Sequence, residues 1–164
     1  MASLDNVDMI MLNSLQNNGR ITNVNLAANA GISAPPCLRR LKLLEKRGII
    51  TSYHARINPT ALGYTIRAIC VVSLVSQSKD SVKKFLNIID KSDNIRQCYS
   101  SSGNESFLLS IVAKDLKDYE RILEDILQAS DVVASITSYL TLNKHKDEFG
   151  LPIDQISESD SKRK

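Results

Sequence analysis

The chain has 164 residues, 43% of them hydrophobic and 24% charged, with a net charge of +3, no Trp and 5% aromatics. That is the composition of an ordinary globular protein of one domain or two small ones, and it excludes fibrous and wholly disordered classes. No apolar run approaches the roughly 18 residues of a membrane span, so no membrane partner is expected. Residues 1–8 lack the basic and apolar regions of a secretory signal, which makes the cytoplasm the expected compartment. Cys37, Cys70 and Cys98 form no C-x-x-C pair and there are two histidines, so no metal site or other cofactor is expected and the thiols read as reduced, small hydrophobes.

Charge is unevenly spread. Residues 1–60 carry seven Lys and Arg against three Asp and Glu, whereas the remaining 104 carry fourteen against fifteen. The excess is densest between Arg39 and Arg47. Clustered cations suit a surface that neutralises phosphates and releases their counterions, although a solvated helix face has the same composition.

The first third reads as three helices. Asp5 is placed to cap the first, whose apolar stripe is Val7, Ile10, Met11 and Leu15, with Leu4 as a staple and the run Asn17, Asn18, Gly19 as its end. Thr22 caps a short second helix carrying Val24, Leu26, Ala27 and Ala30, and Gly31 breaks it. Ser33 caps a third helix with Pro35 and Pro36 in its first turn, running to about Arg47 and closed by Gly48. Its inward stripe is Cys37, Leu41 and Leu44. Two helices joined by a tight glycine turn, the second of them basic, form a helix-turn-helix pattern.

Residues 49–57 are rich in β-branched side chains and read as a hinge strand, followed by breakers at Asn58, Pro59 and Gly63. Beyond it a strand is expected at 66–75 and a helix at 80–89 with Val82, Phe85, Leu86 and Ile89 inward. Strands at 95–101 and 107–113 flank a turn at Ser102, Gly103 and Asn104. A helix capped by Asp115 carries Tyr119, Ile122, Leu123, Ile126 and Leu127, and a last strand spans 132–142. The order βαββαβ is that of ferredoxin-like domains. The predicted class is therefore α+β: a winged-type helix-turn-helix over 1–48, a hinge strand over 49–63, a ferredoxin-like (βαββαβ) domain over 64–146, and a polar, flexible tail over 147–164.

The stretches LDNVDMIMLNSLQNNGRI (4–21), LAANAGIS (26–33), CLRRLKLLEKRGII (37–50), INPTALG (57–63) and SGNESFLL (102–109) together resemble the Lrp/AsnC regulators. The resemblance implies a sequence-specific regulator that binds double-stranded DNA, assembles as a homodimer or up to an octamer, and takes a small-molecule effector such as an amino acid. It places Ser33 at the cap of the recognition helix, Arg40 at a frequent Arg, and Leu41, Leu44 and Gly48 at packing positions. An α-helix fits the major groove and its first turns reach base edges. Ser33, Pro35, Leu38, Arg39, Arg40 and Lys42 are the candidate DNA-binding residues, and Arg20 stands where it could touch the backbone or merely pack. For the effector the candidates are Gly103, Asn104 and Ser106. The turn resembles the family's G-x-x-D pattern, but Ser106 stands at the acidic position and brings no charge to a ligand ammonium.

Two other readings stay open. Relatives of this architecture include sirohaem decarboxylases, but His54 and His145 are the only histidines and neither has a local partner in sequence, so no catalytic residue is expected. A non-specific architectural DNA-binding protein would share every feature above. Affinity for one promoter fragment over random DNA separates the two, by about a thousandfold or more for a specific site.

Overall fold

The computed structural model describes residues 4–102, 106–128, 131–146 and 150–153. The chain forms two compact units, one made of Met1–Arg56 together with Lys146–Lys164, the other of Ile57–His145. The expected ferredoxin-like domain ran over 64–146 and the tail over 147–164, whereas the second unit spans Ile57–His145 and the chain from Lys146 groups with the first. Residues 150–153, expected in a flexible tail, are placed with the first unit. The polar stretch 154–164 lies outside the described residues.

In the first unit, α1 (Asn6–Asn17) starts at Asp5, whose carboxylate accepts from the Asp8 amide while Asp8 reaches back to the Asp5 amide. This reciprocal box satisfies two amides that no helical turn can serve. α2 (Asn23–Asn29) starts at Thr22, which accepts from the Asn25 amide. Its end is a Schellman motif: Gly31, at φ +66°, donates to Ala28 O, and Ile32 donates to Ala27 O. α3 (Ala34–Lys46) ends the same way, with Gly48 at φ +68° donating to Glu45 O and Ile49 to Leu44 O. In both motifs the residue after the glycine, Ile32 or Ile49, packs on the core formed by Met11, Leu15, Leu26, Ala27, Ala30, Cys37 and Leu44.

The expected hinge strand at 49–57 finds no strand partner within the described residues of the chain. Ile49 and Ile50 both turn their amides back to Leu44 O, and residues 51–58 pair in no ladder among the described residues. β-branched side chains favour an extended backbone, but a strand exists only when a second one pairs with it.

In the second unit, a 3₁₀ turn (Thr60–Leu62) leads through Gly63 into β1 (Ile66–Leu74), α4 (Lys79–Ile89), β2 (Ile95–Ser100), β3 (Ser106–Ala113), α5 (Leu116–Leu127) and β4 (Val133–Leu140). The sheet is antiparallel throughout, in the order β2-β3-β1-β4, which is the ferredoxin-like arrangement of a βαββαβ chain. Alternate residues Ala68, Cys70, Val72 and Leu74 of β1 and Phe107, Leu109, Ile111 and Ala113 of β3 are buried beside Phe85, Ile89, Tyr119, Ile122 and Ile126 of the two helices. Phe85 and Phe107 meet with ring centroids 4.8 Å apart. Burying a side chain of this size stabilises by roughly 1.5–3 kcal/mol. Leu86 and Leu127, expected inward, are 39% and 48% exposed. Each lies next in sequence to a buried residue and about 100° further round its helix.

One polar group enters this core. The Tyr119 hydroxyl lies 3.3 Å from Cys70 Sγ, which is 3.6 Å from Ser138 Oγ. Burial first, and the Cys70 contact second, push the phenol up to about 12. Among the described residues of this unit, no helix covers the opposite face of the sheet. Ile69, Tyr99 and Tyr139 stand there 38%, 56% and 58% exposed, Ile69 of β1 directly opposite Tyr139 of β4, and Tyr99 of β2 in line with Val71 through Leu108 of β3.

Candidate nucleic-acid interface

The turn between α2 and α3 is held from both ends. The Schellman bonds close α2, and the Asn23 amide donates to Ala34 O at 2.9 Å, tying the start of α2 to the start of α3. Cys37 and Leu44 anchor α3 inward, with Leu41 half-buried beside them.

That anchoring decides which side of α3 faces solvent. At 3.6 residues per turn, Pro35, Leu38, Arg39, Lys42 and Lys46 fall within about 100° of helix surface, and all five are exposed. Lys46 was not a sequence candidate, yet it follows Lys42 by four residues and Arg39 by seven, a spacing that marks a shared face. Ser33 is the N-cap by position, but its hydroxyl makes no capping hydrogen bond and the residue is exposed. Leu43 flanks the cations and is also exposed. A shallow groove of about 600 Å³ runs along this flank, lined by Arg39, Lys42, Leu43, Lys46 and Arg47 together with Asp8, Arg40 and Leu44.

Arg40 points elsewhere. Its Nη1 donates to Asp5 Oδ2 at 2.7 Å and to Asp8 Oδ1 at 2.8 Å. The hydrogen bonds to Asp8 and then to Asp5 raise its pKa further above the ordinary guanidinium value. Burial pushes the Asp5 carboxyl up, but the Asp8 amide and the Arg40 guanidinium outweigh it and hold the group below its usual 3.8. Arg40 therefore stitches α3 to the start of α1, and its adjacency to Arg39 in sequence hides an angular separation of about 100°. Sequence offered one hint, the Asp5/Asp8 spacing of three, but nothing local connects it to a residue more than thirty positions away.

At the α3 exit, the Tyr53 hydroxyl donates to Glu45 Oε1 at 2.9 Å; burial and then this carboxylate push the phenol up to about 12. Of the effector candidates, Gly103 and Asn104 lie outside the described residues. Ser106 opens β3 opposite Ser73 of β1.

A helix-turn-helix with an exposed basic second helix, followed in the same chain by a ferredoxin-like unit, defines a DNA-binding regulator with a separate carboxy-terminal domain. Residues 4–51 match the model of a winged helix-turn-helix DNA-binding domain, and residues 67–151 match that of the Lrp/AsnC ligand binding domain. The chain is 42% identical to a leucine-responsive regulatory protein of Rhizobium meliloti, over 88% of its own length and 92% of the relative's. It is 31% identical to the protein of that name from Escherichia coli, over 92% of each. Among solved structures, a transcriptional regulator from Neisseria meningitidis in complex with L-methionine superposes with a TM-score of 0.87 at 32% identity, covering 93% of this chain and 98% of the other. A feast or famine regulatory protein from Mycobacterium tuberculosis, also with L-methionine, gives 0.82 at 28% identity, covering 93% and 100%. The chain belongs to the Lrp/AsnC family of transcriptional regulators and acts through its helix-turn-helix on DNA.

Proposed function

We propose that α3 reads duplex DNA through Ser33, Pro35, Leu38, Arg39 and Lys42, with Lys46 on the same face, and that Arg40 serves this face from behind by holding α1 to α3. The observation that carries the reading is the separation of α3 into an anchored side and an exposed side that holds every candidate except Arg40. Ser33, spared from capping, has a hydroxyl to give to a phosphate, and Arg39 and Lys42 supply phosphate or base contacts. Arg39→Ala with Lys42→Ala is expected to lower affinity and reduce the salt slope of binding by about two, while the melting temperature stays put. An unchanged slope at matched affinity would remove α3 from the interface. The same shift assay against random DNA distinguishes a sequence-specific regulator from an architectural protein.

The ligand class is an amino acid, a reading supported by the two family structures that hold L-methionine. Ser106 in place of the carboxylate of the G-x-x-D pattern predicts that the ammonium group finds its partner elsewhere in the site. A thermal-shift screen with the twenty amino acids tests this, since a ligand that binds the folded form raises the transition by mass action. The chain works as a homodimer at least, with the open sheet face carrying Ile69, Tyr99 and Tyr139 as the natural contact surface. Its role is regulatory, in the cytoplasm, rather than enzymatic, a reading supported by the helix-turn-helix and by the family of transcriptional regulators.

A further inference from the structure

The polypeptide leaves the first unit after Arg56, builds the second, and belongs to the first again from Lys146. There Gly150, Leu151, Pro152 and Ile153 lie against α1, on a groove of about 720 Å³ whose other walls include Leu4, Met9, Leu12, Ile50 and Tyr53. Gln16 of α1 holds the segment by its backbone. Its Oε1 accepts from the Leu151 amide and its Nε2 donates to the Leu151 carbonyl, both at 3.0 Å. This is the two-bond pattern of a strand pair, made here by a side chain. The same Nε2 donates to Asn13 Oδ1, which orients the amide.

Two features favour glycine beside this clamp. Gly150 has φ +89°, which L side chains rarely adopt, and a Cβ built on it would run into Gln16 Oε1 and lie 2.8 Å from Cδ. The opposite wall of the groove, residues 49–54, follows directly from the α3 cap, and Tyr53 bonds to Glu45 of α3. The segment thus contacts α1 through Gln16 and shares a groove with the residues that leave α3.

We propose that residues 150–153 are a strap built into the DNA-binding unit, docked in cis on α1 beside the α3 exit, and that DNA affinity depends on its staying docked. The proposal rests on α3 being the DNA face. The strap continues the chain that leaves β4, so it gives the carboxy-terminal domain a second covalent handle on the helix-turn-helix besides the hinge at 56–57. Displacing the end of β4 would slacken or tighten α1 against α3 without any change in the phosphate contacts themselves.

The geometry supplies its own lock. The Cβ built at position 150 lies 3.4 Å from Gln16 Cβ, close to the roughly 3.5–4.5 Å that a disulfide spans. Gln16→Cys with Gly150→Cys, in a Cys98→Ser background that leaves the two buried cysteines in place, should form an intrachain cross-link on oxidation. The oxidised full-length protein is expected to bind DNA as the parent does. Reduction, which leaves neither clamp nor cross-link, should weaken binding by roughly three- to tenfold, as the loss of one or two hydrogen bonds implies, with the salt slope unchanged and the affinity restored by reoxidation. Equal affinity in the two redox forms overturns the dependence on docking, and a cross-link found between two chains overturns docking in cis. Docking is also read without DNA: Gly150→Val should speed hydrogen exchange at the amides of residues 12–16, and unchanged exchange there would overturn the strap. A failure of the DNA-face reading shows up separately, in the salt slope of the Arg39→Ala, Lys42→Ala variant.

Discussion

Replacing Arg40 by Ala separates a residue that holds the DNA-binding unit together from those that face the DNA. The cost can be bracketed from the geometry. An exposed ion pair contributes at most about 1 kcal/mol, whereas removing one partner of a fully buried pair costs about 3–5 kcal/mol. The Arg40 cluster lies between these limits: the side chains of Arg40 and Asp5 are 34% and 51% exposed, but that of Asp8 is 11% exposed. Without Arg40, Asp8 is left as a nearly buried carboxylate beside a second carboxylate. The α1 amides offset part of this, since a helix N-terminus favours negative charge by about 0.3–1 kcal/mol. The expected loss is therefore about 2 kcal/mol. For a unit of this size each kcal/mol moves the melting temperature by about 4–8 °C, so the first transition should fall by about 10 °C. Both contacts come from one nitrogen, Nη1, so Arg40→Lys should recover part of the loss.

The assay is thermal unfolding followed by circular dichroism, paired with DNA titration at several salt concentrations well below the transition. Arg40→Ala should unfold early yet bind, while folded, with the parent's salt slope. A transition unmoved within about 2 °C, together with a slope reduced by about one, would refute the reasoning and make Arg40 a phosphate contact. A double-mutant cycle with Asp8→Asn supplies the coupling energy directly, because the second substitution removes the charge that the first one strands.

Asp5, with its folded pKa held below 3.8, contributes stability that is present above the unfolded value and lost as pH falls through the depressed one. The acid limb of the melting curve should accordingly be shallower in Arg40→Ala, and identical acid limbs would argue against the pairing. Tyr119 titrates the opposite way: its folded value of about 12 lies above the usual 10. Its contribution is complete below pH 10 and lost as pH rises towards 12, so Tyr119→Phe should flatten the alkaline limb of the second unit's stability, and an unchanged limb would place the phenol in solvent. On the open sheet face, Ile69→Asp with Tyr139→Asp adds no charge to the buried core but should shift the sedimentation coefficient to that of a monomer. Retention of the parent's assembly would move the contact surface elsewhere.

The local signals were legible because their physics is local. Asp5, Thr22 and Asp115 are caps that bond to amides three residues on, and Gly31 and Gly48 end their helices in the left-handed conformation. The β-branched run at 66–75, the strand at 107–113 and the 3.6-residue stripes of α4 and α5 led to the βαββαβ order, which with antiparallel pairing leads to the observed sheet. What sequence could not set was the width of each buried stripe. Leu86 and Leu127 satisfy the helical period but fall just beyond what the sheet covers. Residues 49–57 show the converse, a composition that suits a strand in a segment whose first amides are taken by the α3 cap.

The candidate site divides along the same line. A run of cations near residue 40 is visible in composition, but whether a given Arg meets a phosphate or an aspartate depends on an angle of about 100° and on a second helix thirty residues away. Arg39 and Arg40 are neighbours with opposite assignments, and only the inward anchoring of Cys37 and Leu44 tells them apart. The strap was hidden more completely. Gln16 reads the backbone of Leu151 across 135 residues, and a contact to backbone leaves no complementary side chain to notice. Its one sequence trace is Gly150, a glycine that sits at φ +89° where another segment's side chain comes too near for a Cβ.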